Sequence, residues 1–323
     1  MLPAMSAWPK TVPVAVACVV LWAGAARAQD FVGARALGLG EAYRSIASGN
    51  DGLYANPAGI TALKRYAIEV HYGLNLVDEQ HIGDLSIVDS KTSPFAVGVA
   101  YTFDGAQFTK RATVQHTATL AMAYPFLDQM LSVGLGFKYV NVTDAFAGNY
   151  LNALAADVGV LSRLPGGVSL AAVGYNLVPI KSARIPWSAG FSASWDLGPL
   201  SALLLGGLPT AGLTQTAAGV PRLSVGELRG PLDGLTVAFD WNLHFATLRG
   251  TQSRMSGGLE YLLADMVPIR AGYLWNQEDD DHRLSVGAGF IVPFFGLDVG
   301  FQQSLVRTDE RLFACSLKFF PTF

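Results

Sequence analysis

Leu235-Thr236-Val237-Ala238-Phe239-Asp240-Trp241-Asn242-Leu243-His244 puts a large apolar side chain at every odd position and a small or polar one at every even position. A period of two is the period of a β-strand, whose successive side chains leave the pleat on opposite faces. One face of this strand therefore meets an apolar medium, while Asp240, Asn242 and His244 share the other face. The pattern returns in Phe95, Val97, Val99, Tyr101 and Phe103 against Ala96, Gly98, Ala100 and Thr102, and in Leu131, Val133, Leu135, Phe137 and Tyr139 against Ser132, Gly134, Gly136 and Lys138. About nine residues is the length a tilted strand needs to cross the hydrocarbon of a bilayer. A soluble sandwich also alternates, but Tyr101, Tyr124, Tyr139, Tyr273 and Trp275 stand at strand ends, where membrane barrels carry aromatic girdles.

The beginning of the chain reads as an export signal. Lys10 precedes an apolar run from Val12 to Ala25, and Ala26-Arg27-Ala28 is a small-x-small cleavage site, so residues 1–28 are expected to be removed and Gln29 to become the first residue. Cleavage takes two of the 22 basic residues and none of the 25 acidic ones, moving the formal net charge from −3 to −5. That balance leaves no electrostatic footprint for nucleic acid. Cys315 is then the one remaining cysteine, which excludes an intramolecular disulfide and a thiolate metal cluster. Mean hydropathy is +0.33, yet beyond residue 28 no run approaches the roughly 20 apolar residues of a spanning helix; the nearest, Leu200 to Leu208, is stopped by Pro209. An exported, apolar chain without spanning helices is best satisfied by a closed barrel, whose strands pair every backbone group in lipid.

Short connectors at Asp89–Ser93, Pro125–Gln129, Arg163–Gly166, Asp265–Met266 and Pro293–Phe294 read as periplasmic turns, and longer polar ones such as Asp104–Lys110, Thr143–Asn149 and Leu305–Glu310 as outer loops. The expected fold is all-β: a transmembrane antiparallel β-barrel of residues 64–323 in the outer membrane of a Gram-negative-type bacterium. The expected strand number is fourteen, with sixteen if the poorly alternating, Gly/Pro-rich 200–229 region also joins the wall. Phe313, Cys315, Leu317, Phe319, Pro321 and Phe323 are expected on one face, closing on a terminal phenylalanine. That ending resembles the recognition signal of the outer-membrane barrel assembly machinery.

Ahead of the strands, Gly33-Ala34-Arg35-Ala36-Leu37-Gly38-Leu39-Gly40 leads to Asn56-Pro57-Ala58-Gly59. Small residues let such a chain pack inside a narrow space, and Pro57 keeps Asn56 out of the helical region, so Asn-Pro reads as a turn. The Gly38-x-Gly40 pair is not a dinucleotide fingerprint, since Tyr43 stands where the third glycine belongs. The segment, about thirty residues, resembles the N-terminal plug of the long-chain fatty acid transporter (FadL) and PorV-like outer-membrane families. The resemblance implies a plug over residues 29–63 inside the lumen, and passage of hydrophobic, fatty-acid-like small molecules past a shifting plug with sideways release between strands. Its PorV-like side implies instead a non-transporting scaffold that meets a secretion, surface-polymer or motility machine as its envelope partner. A continuous apolar cavity beneath the outer loops would fit passage; a filled lumen would fit a scaffold.

Nothing in the chain points to an enzyme, and no cofactor or metal is expected. His71, His81, His116, His244 and His282 are scattered over separate elements, and no nucleophile or zinc motif stands in a suitable context. Glu278-Asp279-Asp280-Asp281 lacks the glycine-punctuated spacing of a calcium loop and is expected to be a solvated outer loop. Alternation turns Glu69, His71, Lys138, Asp157, Asp240, Asn242, His244, Glu260, Arg270, Asp298 and Lys318 inward. A cation there avoids a lipid cost of about 2–4 kcal/mol at mid-depth. These residues are candidates for lumen salt bridges, plug contacts or a substrate path.

Overall fold

The computed structural model describes residues 33–322 apart from 78, 107–112, 145–147, 179–186, 201–208, 216–220, 226–231 and 248–249. The expected export signal, residues 29–32 of the plug and Phe323 lie outside the described residues.

The wall is built in chain order from β1 (Tyr66–Asn75), β2 (Gln80–Asp89), β3 (Ala96–Ala106), β4 (Thr113–Phe126), β5 (Leu131–Asp144), β6 (Gly148–Arg163), β7 (Val168–Tyr175) and β8 (Ser188–Asp196). β9 (Pro209–Gln215) and β10 (Pro221–Val225) pair only with each other. The wall resumes with β11 (Leu235–Thr247), β12 (Gly250–Leu263), β13 (Val267–Asn276), β14 (Asp281–Val292), β15 (Phe295–Ser304) and β16 (Arg311–Phe319), and β16 closes on β1. Fourteen antiparallel strands thus form the barrel, and the region without alternation supplies a separate two-stranded sheet in the β8–β11 connection. Closure sets Glu69 opposite Lys318 and Tyr72 opposite Cys315.

Strand periodicity becomes an inside and an outside. Val99, Tyr101, Leu135, Phe137, Phe239 and Val286 are each exposed on the outer surface, whereas Ala100, Asp240 and Ser285 are buried. Such an apolar exterior is a membrane belt, and a closed, even-numbered antiparallel barrel of this kind is an outer-membrane structure. On that belt, toward the loop end, three histidines meet tyrosine hydroxyls: Tyr72 with His81 Nδ1 at 2.7 Å, Tyr101 with His116 Nδ1 at 2.6 Å, and Tyr273 with His282 Nδ1 at 2.5 Å.

β16 ends at Phe319; the even residues from Leu312 to Phe320 are buried, as alternation expects, and the Arg65 guanidinium lies 3.6 Å above the Phe320 ring, whereas Phe323 lies outside the described residues. One expectation is corrected: Glu278–Asp281 is not wholly solvated. Asp281 opens β14 fully buried and accepts from Arg283 Nε at 2.6 Å, Arg307 Nη2 at 3.0 Å and Ser304 Oγ at 2.5 Å. The chain's own arginines stand where a bound cation would, and no group of metal-ligating side chains occurs among the described residues.

Candidate functional site in the plugged lumen

Residues 33–63 fill the half of the lumen nearest the short turns. A short helix, α1 (Ala34–Gly38), lies against β13–β16, followed by a 3-10 turn (Gly49–Asp51), α2 (Gly52–Ala55) and a second 3-10 helix (Pro57–Thr61) against β4–β6. Asn56 caps the last of these: its Oδ1 accepts from the Ala58 N–H at 3.0 Å, with Pro57 at the first helical position, where its missing N–H costs nothing. The Asn56 amide also donates to the carbonyls of Arg44 and Val160, both at 3.3 Å, tying the turn to the plug and to β6. Thr61 Oγ1 reaches Ser132 Oγ of β5 at 2.8 Å.

The fit is backbone against backbone, and it uses glycines of the wall as well as those of the plug. Gly40 has φ +62, and a Cβ there would lie 2.6 Å from Tyr273 N. Across from it, a Cβ on Gly272 would lie 2.1 Å from the Leu39 carbonyl carbon, and one on Gly258 2.6 Å from its oxygen. Gly38 faces Gly287 in the same manner, with a Cβ on either meeting the other's Cα at 2.9 Å. Ala58 approaches Gly134, and Gly59 folds onto Ala47 O at 2.6 Å from where its Cβ would stand. Gly33 abuts the Asp51 carboxylate.

Buried charge locks the same interface. Arg35, 7% exposed, donates to both oxygens of Glu260 at 2.9 and 2.7 Å and reaches Tyr43 and Ser48 at 3.0 Å each. Arg270 joins Glu260 at 2.6 Å to Asp298 at 2.6 Å. Lys318 then contacts Asp298 and the plug's Asp51, each at 3.1 Å, and Glu69 at 3.6 Å. Removing one member of such a buried set leaves an uncompensated charge, which costs about 3–5 kcal/mol.

The expected inward residues fall into groups. Glu69, Glu260 and Arg270 meet through Asp298 and Lys318, whereas Asp240 stands apart, accepting from the Tyr43 and Arg44 N–H groups at 3.1 Å each and from Arg44 Nη1 at 2.9 Å. His71 is buried on β1, two residues from Glu69. His244 is half-buried near the loop end of β11, with Nε2 3.3 Å from Asn242 Nδ2. Four plug side chains that alternation cannot reach take part as well: Glu41 pairs with Arg254 at 2.5 Å, Tyr54 donates to Asp84 at 2.6 Å, Arg44 Nε donates to Tyr175 at 2.7 Å, and Asp51 is described above. Their signal in the sequence was polarity within an otherwise small-residue segment.

Above the plug, in the half toward the loops, lies a cavity of about 120 Å³. Its floor includes Ala36, Tyr43, Arg44, Tyr54 and Ala55, and its walls Ile82, Thr102, Asp104, Gln115, Thr117, Thr119, Lys138, Val140, Asn242 and Arg254. The lining is therefore mixed: the threonine, glutamine, aspartate and lysine of β3–β5 stand beside Ala36, Ala55, Ile82 and Val140, so the space is neither wholly apolar nor filled. The cavity also touches Tyr175 and Asn176, beside the point where, among the described residues, the β6–β7 ladder stops. β6 is 16 residues long and β7 only eight, and they pair from Val158 to Arg163. Beyond that the Asp157 carboxylate takes the Asn176 N–H at 2.9 Å, and the Leu177 N–H reaches Ala156 O at 2.8 Å. Leu154, Leu177, Val178 and Trp187 are exposed around this seam.

A closed barrel with an apolar belt, short turns at one end and its own N-terminal segment locked in the lumen defines the class of plugged outer-membrane β-barrels. No protein-family model and no curated protein matches the chain. Solved structures do: the CymD monoaromatic hydrocarbon channel (13% identity, 92% of this chain and 99% of that one, TM-score 0.63), the Pseudomonas putida toluene transporter TodX (12%, 92% and 100%, 0.61), and a Pseudomonas aeruginosa FadL homologue (10%, 89% and 98%, 0.56). The chain shares the fold of FadL-type barrels along nearly its whole described length.

Proposed function

We propose that this barrel passes small, largely apolar molecules with a polar end from the outside into the outer membrane. The observation that carries this reading is the seam at β6–β7. The turn-side half of the lumen is closed by backbone contact and buried ion pairs, so a straight route through the barrel would break both. The cavity adjoins the seam through Tyr175 and Asn176, its lining offers both polar and apolar side chains, and the surface outside it is apolar. A polar end is held in the cavity while the apolar body leaves sideways into lipid. The fold shared with hydrocarbon and toluene channels supports the same direction.

A second reading, a scaffold for a secretion or surface machine, draws support from the β8–β11 connection. It lies at the same end as the short turns and carries the separate β9–β10 sheet.

Seam locking separates the two. In a Cys315→Ser background, Ala156→Cys with Leu177→Cys places two thiols on strands already hydrogen bonded at that point. Uptake of 3-phenyl-1-propanol by intact cells, above that of cells lacking the barrel, should fall on oxidation and return on reduction. Equal uptake in both states would remove the seam as the route, and no uptake above cells lacking the barrel would leave the scaffold.

A further inference from the structure

Charge around the outer cavity is unevenly balanced. Each cation lining it already holds a carboxylate: Arg44 with Asp240 at 2.9 Å, Lys138 with Asp157 at 2.7 Å, and Arg254 with Glu41 at 2.5 Å. The β2–β3 wall is different. Asp104 lines the cavity at 9% exposure and is met by the neutral Gln80 amide at 2.5 Å. On the same wall Asp84 is held by the hydroxyls of Tyr54 and Thr102, at 2.6 and 2.8 Å. Neither carboxylate has a cation partner among the described residues. Thr102, Gln115, Thr117 and Thr119 add neutral hydrogen-bonding groups beside Asp104.

An independent observation comes from β11. Asn242 lines the same cavity at 3% exposure; its Nδ2 faces His244 Nε2 at 3.3 Å, and its Oδ1 has no hydrogen-bond partner among the described residues. A buried acceptor left open is costly, and a donor in the cavity relieves that cost.

We propose that the outer cavity selects a small amphipathic molecule bearing a protonated amine, with Asp104 as the counter-charge and Asn242 Oδ1 as a second acceptor for its donors. A carboxylate end would find every lining cation already neutralised and would face Asp104 across a confined space, where like charges repel, while Ile82 and Val140 offer contact to an apolar body. This inference rests on the cavity being part of the passage proposed above, and names the chemistry of the end it holds.

The test is binding of three matched probes to the purified full-length barrel, followed by saturation-transfer NMR: phenethylamine, 3-phenylpropionate and propylbenzene. Phenethylamine should bind about tenfold tighter than either of the others, the value of one charge-assisted hydrogen bond. Asp104→Asn should erase that preference, and Asn242→Ala should weaken phenethylamine binding while heat-resistant migration stays intact. A preference for 3-phenylpropionate, or a phenethylamine preference that survives both substitutions, overturns the proposal. Equal binding of propylbenzene and phenethylamine overturns it too but leaves passage standing. No binding of any probe, together with no barrel-dependent uptake of 3-phenyl-1-propanol, removes the passage reading and this inference with it.

Discussion

Arg35 of the plug and Glu260 of β12, 225 residues apart in the chain, form a two-point ion pair in the lumen, Nε to Oε2 at 2.9 Å and Nη2 to Oε1 at 2.7 Å. Glu260 simultaneously takes Arg270 Nε at 2.6 Å, so one carboxylate neutralises the plug and the wall at once.

Glu260→Gln should therefore loosen the plug more than any exposed substitution. Two guanidinium groups lose their shared counter-charge in a buried site, a cost of about 3–5 kcal/mol. Strand pairing is untouched, so the barrel should still migrate as a folded species. Ion leakage through planar bilayers and protease sensitivity of residues 33–63 should both rise. A variant as tight and as protected as the parent would show that the plug is held by packing alone.

Gly258→Ala and Gly257→Ala make an internal control. They are neighbours on β12, but a Cβ at 258 would stand 2.6 Å from the Leu39 carbonyl oxygen, while one at 257 meets nothing within 4 Å. Overpacking of this kind costs about 1–3 kcal/mol. Melting should drop and leakage should rise for Gly258→Ala only. Equal behaviour of the two variants would contradict the close approach of Leu39 to the wall.

Calcium should leave the barrel unchanged. Asp281, the buried member of the acidic run, is satisfied by Arg283, Arg307 and Ser304, so the run has no vacancy of the right charge. Unfolding measured with excess Ca²⁺ and with chelator should coincide. A rise in stability with Ca²⁺ that Asp281→Asn abolishes would refute this.

Period-two alternation was enough to determine a barrel, its inside and outside, and the inward direction of Glu69, Asp240, Glu260 and Arg270, because side-chain direction in a strand is a local property of the backbone. The small-residue run from Gly33 and the Asn56-Pro57 turn likewise announced a segment fit for a narrow space. The loss of alternation after Leu200 marked the stretch that leaves the wall. What the chain alone left open was which inward charges meet. Glu260 is joined to Arg35, and Lys318 to Asp51, only because closure of β16 on β1 and the inter-strand register bring residues from both ends of the sequence to one depth in the lumen. Tertiary structure also decided that Asp281 is buried against arginines, that Arg65 lies over Phe320, and that the space above the plug mixes polar and apolar walls. Each of these depends on a neighbour supplied by another strand or loop, and no local period carries that information.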